Sequence, residues 1–308
     1  MNPVGRYCRR IPDAGPTSKS LSMEGDRKTL FLCGGLQSSG STLVSWCFLQ
    51  RRDMNGILDA DNDLLPCLDR ARAGGFAWYK TTIACFRLTE LMEHYRDLGW
   101  GVRPLLIVRD VRPVWASLLR KPYARNGITA EDPPLRLRLR RFKADWEAFR
   151  QAGWPLLRYE SLIAEPQQTL KEACLRLGLP WDPAMLHWPK APEQIADSRW
   201  GNETFWNTRG STLAATLGRY AAQNRRRPMA AEDLDWLETE FREFNLASGY
   251  PLTGAWGADD RRVHASPSFE VTRRYEWETR RKPVRWLLSR LGFRNGPLIE
   301  RRNVRKVA

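Results

Sequence analysis

The chain has 308 residues, 42% of them apolar and 14 of them Trp, which is enough core for one large α/β domain or two small ones. Fifty Lys and Arg against 35 Asp and Glu give a net charge of +15, a field that draws in anionic ligands. No RNP1, homeodomain or Cys/His finger pattern accompanies that charge, so a specific nucleic-acid reader is not expected. No apolar run approaches the roughly 18 residues that a membrane helix needs. The N-terminus carries no apolar signal core, and a cytoplasmic protein is expected. The six cysteines, Cys8, Cys33, Cys47, Cys67, Cys85 and Cys174, form no C-x-x-C pair, and several sit in apolar runs. They read as buried free thiols of a reducing compartment. His94, His187 and His264 are scattered, and no metal-ligand spacing is visible.

Residues 1–28, rich in Pro, Gly, Ser and charge, read as a mobile arm. The apolar run Leu30 to Cys33 has the length of a buried strand. Gly34 and Gly35 follow, then Gln37, Ser38, Ser39, Gly40, Ser41 and Thr42, and then a helix carrying Leu43, Val44, Trp46, Cys47 and Leu49 to about Gln50. A strand, a Gly-rich loop and a helix start make an anion cradle, because unpaired N–H groups and the positive end of the helix dipole point into the loop. From Gly35 to Thr42 the pattern is G-x-x-x-x-G-S-T, the nucleotide-binding P-loop with Ser41 where the lysine belongs. Transfer of a γ-phosphoryl group relies on that lysine and is poorly supported here. The plainer alternative is a Ser/Gly turn that only joins strand to helix.

Ile57 and Leu58 suggest a second strand, with Asp59 and Asp61 toward its carboxyl end, the ligand side of an open α/β sheet. Asp61 and Asn62 serve equally well as caps of a helix through Leu64 and Leu65. Residues 76–83 read as a third strand ending in Lys80-Thr81-Thr82. Residues 86–98 read as an amphipathic helix, with Leu88, Leu91, Met92 and Tyr95 inward and Glu90 and His94 on a solvated face. Leu105 to Val108 run into a polar turn and a helix that tolerates Pro113 in its first turn. Arg109 stands at the strand end and Ser117 two helical turns on, so both can face the crevice that the first loop faces. A guanidinium and a hydroxyl there suit a second phosphate.

Residues 121–132 form a polar loop, and residues 133–151 a helix loaded with Arg136, Arg138, Arg140, Arg141 and Lys143. That run is either a solvated face or a guide for an anionic acceptor. Residues 154–158 read as a further strand. Tyr159-Glu160-Ser161-Leu162, Pro166, Thr169-Leu170 and Leu177-Gly-Leu-Pro-Trp-Asp182 follow.

Three of these stretches together resemble the sulfotransferases that use 3′-phosphoadenosine 5′-phosphosulfate (PAPS). The loop 37–42 is similar to the family's P-[RK]-S-G-[ST]-T. Arg109, Asp110, Arg112 and Ser117 match its R-D-x-R-x-x-x-x-S, and residues 159–181 its Y-E-[DS]-L…P…L-G-L-P-W segment. The likeness spans about residues 29–183, more weakly to 251. It implies an α/β, P-loop-like domain with a central parallel sheet flanked by helices over residues 29–250. PAPS would be the sulfuryl donor, the acceptor a hydroxyl or amine of a molecule such as a glycan or small metabolite, and no metal would take part. Gln37, Ser38, Ser39, Gly40, Ser41 and Thr42 would hold the phosphosulfate, Arg109 and Ser117 the 3′-phosphate, and Tyr159 the adenine.

The chain also departs from the family. Ser38 stands where a loop Arg or Lys is usual, and Gln37 where Pro is usual. Lys80-Thr81-Thr82 resembles the family's K-T-H with Thr82 in place of the base. Lys80 is then expected to supply the missing positive charge, with Arg112 or Arg209 next in line; a snorkelling surface Lys is the alternative. Asp59 or Asp61 is expected as the base, unless both only cap. Leu43 replaces the Trp that stacks on adenine in the cytosolic members.

Residues 184–210 are expected to be loop-rich, with Gly201-Asn202 and Arg209-Gly210-Ser211 resembling the late loop over the 3′-phosphate. Further helices are expected at 213–222 and 231–244, and Gly249-Tyr250-Pro251 resembles the end of the domain. The extension 251–308 carries fourteen Lys and Arg against six Asp and Glu, a net +8. Residues 284–293 suit a short basic amphipathic helix that docks on a protein surface or lies on an anionic membrane. A nucleotide kinase and an inactive basic binding protein of the same fold stand as the competing functions.

Overall fold

Leu30, Phe31, Leu32 and Cys33 are all fully buried, which requires a strand covered on both faces. A computed structural model describes residues 29–60, 76–84, 86–119, 134–195, 212–223 and 229–252, without the side chains of 59, 134 and 219–223. The arm 1–28, the caps at Asp61 and Asn62, the loop 121–132, the late loop with Arg209 and Gly210, and the extension from 253 onward lie outside the described residues.

Five parallel strands form one sheet in the order β2-β3-β1-β4-β5. They are β1 (Thr29–Gly35), β2 (Met54–Ala60), β3 (Phe76–Thr82), β4 (Gly101–Val108) and β5 (Leu156–Arg158). β1 sits between β3 and β4, with Cys33 level with Lys80 and with Leu105, and Gly35 level with Thr82 and with Ile107. The α/β, P-loop-like fold expected from the sequence is the fold observed.

Alternation along the strands divides the core into two layers. Leu30, Leu32, Tyr79, Leu106 and Val108 face one side. There they pack on α2 (Leu88–Asp97), α3 (Val111–Leu118), α4 (Pro134–Ala152) and, further along the chain, the helices Ala231–Glu240 and Arg242–Ala247. Phe31, Cys33, Trp78, Leu105, Ile107 and Leu157 face the other. That side is covered by α1 (Ser41–Leu49), α5 (Tyr159–Ala164), α6 (Pro166–Leu177), α7 (Ala184–His187) and α8 (Leu213–Gln223). Phe48 of α1 stacks on Trp78 at 4.2 Å between ring centroids. Since α1 and α3 lie on opposite faces, the loops after β1 and β4 part at the carboxyl edge and open a crevice between them.

Several sequence expectations are corrected here. The helix expected at 231–244 is two helices, α9 (Ala231–Glu240) and α10 (Arg242–Ala247). The chain bends at Phe241, and Phe241 and Phe244 both enter the core, with Phe244 against Phe142 and Trp146. The stretch expected as loop from 184 contains α7 and a 3₁₀ turn at Pro192–Gln194. His94 does not lie on a solvated face; it is buried beside Tyr95. The basic run on α4 is not a free surface either. Arg136 lies 3.6 Å from Asp233, Lys143 3.3 Å from Glu240 and Arg140 3.7 Å from Glu240. Arg138 is buried, and Arg141 donates to the Ala84 carbonyl. The acids of α9 thus pair with the bases of α4, and the run is engaged within the fold while Arg140 itself stays exposed. Asp145 completes this layer from within. Fully buried, it accepts the Leu88 N–H (2.6 Å), the Thr89 N–H (3.0 Å) and the Thr89 hydroxyl (2.8 Å), capping α2 from α4. Among the described residues, no helix is long and apolar enough to cross a membrane.

Candidate functional site

The loop between β1 and α1 is held by its own backbone. The Ser39 N–H donates to the Leu36 carbonyl (3.0 Å), and Ser38 adopts a left-handed φ of 67°. Gly40 follows at φ 90°, and a Cβ there would meet the Tyr159 ring at 2.2 Å, so only glycine fits beneath that ring. The first bond of α1 runs from the Val44 N–H to the Gly40 carbonyl (3.1 Å). The N–H groups of Ser41, Thr42 and Leu43 therefore have no acceptor within the helix, and Gly40 offers no capping side chain. The Ser39 hydroxyl, buried and without a hydrogen-bond partner, lies over Gly35. Donors are thus gathered at a helix start with no acidic residue in its first turn, the arrangement that binds anions.

The turn after β4 closes on this loop. Arg109 Nη1 donates to the Ser38 carbonyl (2.8 Å), and the guanidinium lies 4.2 Å over the Tyr159 ring. The Ser117 hydroxyl, on α3, donates to the Ser38 hydroxyl (3.0 Å). Ser38, Arg109 and Ser117, far apart in sequence, therefore form one cluster across the crevice. Tyr159 is the first residue of α5 and is almost fully buried, one ring face taken by Arg109. Burial raises its phenol pKa, while the charge of Arg109 opposes that shift.

Arg112 has a different task. Its guanidinium is wholly buried and grips both carboxylate oxygens of Asp110 (2.9 and 2.8 Å), Glu238 (3.3 Å) and the Pro251 carbonyl (2.7 Å). Asp110 in turn caps α3 through the Arg112 N–H (3.0 Å). As a reserve cation for the reacting group Arg112 is therefore corrected: it is an internal tie between α3 and the end of the domain.

Lys80 lies on the α1 side of the sheet, 3% exposed, so the snorkelling surface alternative is ruled out. Its ammonium reaches along β3 to the Thr82 hydroxyl (3.3 Å), and Thr82 is level with Gly35 where the loop begins. The Cys33 thiol beside it is pushed up to about 12, mainly by burial, with the charge of Lys80 pulling the other way. Asp59 falls in the irregular stretch of β2 between Ile57 and Ala60; its side chain, like all of Asp61, lies outside the described residues. Gln37 and Thr42 are half-buried on the loop, and Ser41 is buried. Among the described residues no group of three His, Cys, Asp or Glu is placed to hold a metal.

Two residues were quoted in sequence motifs without a role. Glu160 accepts from the Tyr250 hydroxyl and from the Asp110 N–H in the turn that carries Arg109, so Tyr250 reaches that turn only through Glu160. The signal was the Tyr-Glu pair itself, but nothing in sequence tells that its carboxylate turns inward.

No protein-family model and no curated protein matches the chain. Solved structures of similar chain path include the sulfotransferase domain from the curacin biosynthetic pathway. It is 14% identical over 74% of this chain and 100% of that one, with a TM-score of 0.46. Another is the sulfotransferase domain from the Synechococcus PCC 7002 olefin synthase, 13% identical over 75% and 99%, with a TM-score of 0.48. At these identities and TM-scores the likeness is one of chain path alone and extends to neither donor nor acceptor.

Proposed function

We propose that this chain is a PAPS-dependent sulfotransferase that moves a sulfuryl group to a hydroxyl or amine. The observation that carries this reading is the cluster of Ser38, Arg109 and Ser117, which joins a lysine-free anion loop to a second cationic turn across one crevice. A donor with phosphates at both ends of its ribose needs two such sites side by side. The N–H groups of Ser41, Thr42 and Leu43 with the Ser39 hydroxyl would take the 5′-phosphosulfate, and Arg109 with Ser117 the 3′-phosphate. Tyr159 supports Arg109 from below and borders the adenine.

PAPS supplies a sulfuryl group whose bond to phosphate breaks as negative charge gathers on the bridging oxygen. Only a contact that strengthens as that charge forms accelerates the step. Loop amides provide part of it, and Lys80, buried at the level of the loop, provides the cation that Ser38 lacks. Asp59 or Asp61 would take the acceptor proton. A phosphate-binding protein without transfer is favoured by Ser38 and Thr82 alone.

Incubating the purified chain with sulfur-35-labelled PAPS and fractionated cell extract tests the activity. Label in an acceptor product, identified by mass spectrometry, is expected. Absence of label from every fraction, with PAP (adenosine 3′,5′-bisphosphate) still bound, would leave only the binding function.

A further inference from the structure

Arg109 is held at both ends by one dipeptide. Tyr159 forms the floor under its guanidinium at 4.2 Å. Glu160, the next residue, accepts the N–H of Asp110, next to Arg109 in the chain, through Oε1 (3.2 Å). The second oxygen of Glu160 is occupied from more distant chain: the Tyr250 hydroxyl donates to Oε2 at 2.7 Å. Arg158 lies 3.7 Å from the same oxygen and stacks over the Tyr250 ring at 4.6 Å. The neighbouring Pro251 carbonyl accepts from Arg112 (2.7 Å), which itself holds Asp110. Residues 250 and 251 thus grip the turn 109–112 on two sides, one through Glu160 and one through Arg112.

Tyr250 is 4% exposed, and burial together with the Glu160 carboxylate raises its phenol pKa, so the hydroxyl stays a donor across the physiological range. Were this bond purely structural, it would be one more link between the domain end and the core. Its placement is narrower: it orients a carboxylate whose other oxygen fixes the backbone next to the guanidinium that crosses to Ser38.

We infer that Tyr250 and Glu160 are positioning residues that aim Arg109 at the second phosphate, a proposal that rests on the donor-site reading above. Neither touches the ligand, and both set how well Arg109 does.

The test is a thermodynamic cycle on the full chain, with PAP as the probe in titration calorimetry and melting temperature recorded in parallel. Tyr250→Phe keeps the ring that Arg158 covers and removes only the hydroxyl; it is expected to weaken PAP about three- to tenfold, the size of one net hydrogen bond. In an Arg109→Ala background the same substitution is expected to cost no further affinity, because nothing remains to be aimed. Glu160→Gln, should Tyr250→Phe fold poorly, is expected to behave alike. An equal loss in both backgrounds, or no loss in the parent background with PAP bound normally, overturns the positioning role and leaves the site standing. A parent chain that binds no PAP removes the site and this role together.

Discussion

The loop after β1 and the turn after β4 face one crevice and are built on opposite terms. From Gly34 to Trp46 there is no charged side chain, whereas Arg109, Asp110 and Arg112 fill three of four positions after β4. The first presents backbone donors fixed by left-handed Ser38 and Gly40; the second presents charge, and divides it. Arg109 crosses to the Ser38 carbonyl, while Arg112, three residues on, is buried among Asp110, Glu238 and Pro251. Under the proposed function the two arginines of one motif divide between ligand and scaffold, and their variants should separate in the same way.

The largest effect falls on the scaffold arginine. Arg112→Ala removes a wholly buried guanidinium from half-buried Asp110 and Glu238 and is expected to cost about 3 kcal/mol of stability, the low end for breaking a buried pair. Chemical denaturation measures it, and a variant as stable as the parent would show that the buried network holds nothing together. Lys80→Met keeps the volume and removes the charge. It is expected to lower kcat by roughly 10²–10³-fold in single turnover, the loss typical of one oxyanion donor, with PAP affinity changed far less. Parent-like turnover would move the compensating charge elsewhere, with Arg209 next. Ser38→Lys should restore part of that loss only if the new ammonium compensates for the Ser38–Ser117 hydroxyl bond it removes.

A smaller effect belongs to the ligand arginine. Arg109→Ala is expected to weaken PAP by about 1.5–3 kcal/mol, the range of a charge-assisted hydrogen bond, and to shift the melting point little. If instead Arg109→Ala unfolds the chain and Arg112→Ala loses PAP, the division between them is reversed. The smallest effect is an absence of reaction. Burial pushes the Cys33 and Cys47 thiols up to about 12, so almost no thiolate exists near neutral pH. Iodoacetamide followed by peptide mapping should find both unmodified in the native chain and modified in denaturant. Native labelling at either would place it outside the core.

Strand order was legible from short apolar runs such as Leu30–Cys33 and Leu105–Val108, and α2 from its apolar stripe, whereas α5 and α6 were read only as motif segments. The loop at Gly35–Thr42 and the placement of Arg109 and Ser117 beside it were legible for a related reason: parallel strands bring their carboxyl ends to one edge. The roles of charged residues were less legible. Arg136, Arg140 and Lys143 looked like a solvated face because their partners, Asp233 and Glu240, lie about a hundred residues on. Arg112 looked as available as Arg109, and only the fold brings Glu238 and Pro251 to it. His94 fell on the polar side of the helical pattern and is buried because a tertiary layer covers that side too. Charge pairing between distant segments leaves no local periodicity to read.

The central claim, two phosphate subsites in one crevice with no lysine for a γ-phosphate, is met most directly by titration calorimetry of the full chain against PAP, ATP and GTP under one buffer. The account predicts that PAP binds tighter than either triphosphate and that Arg109→Ala removes that preference. ATP binding tighter than PAP, or a preference untouched by Arg109→Ala, would contradict it.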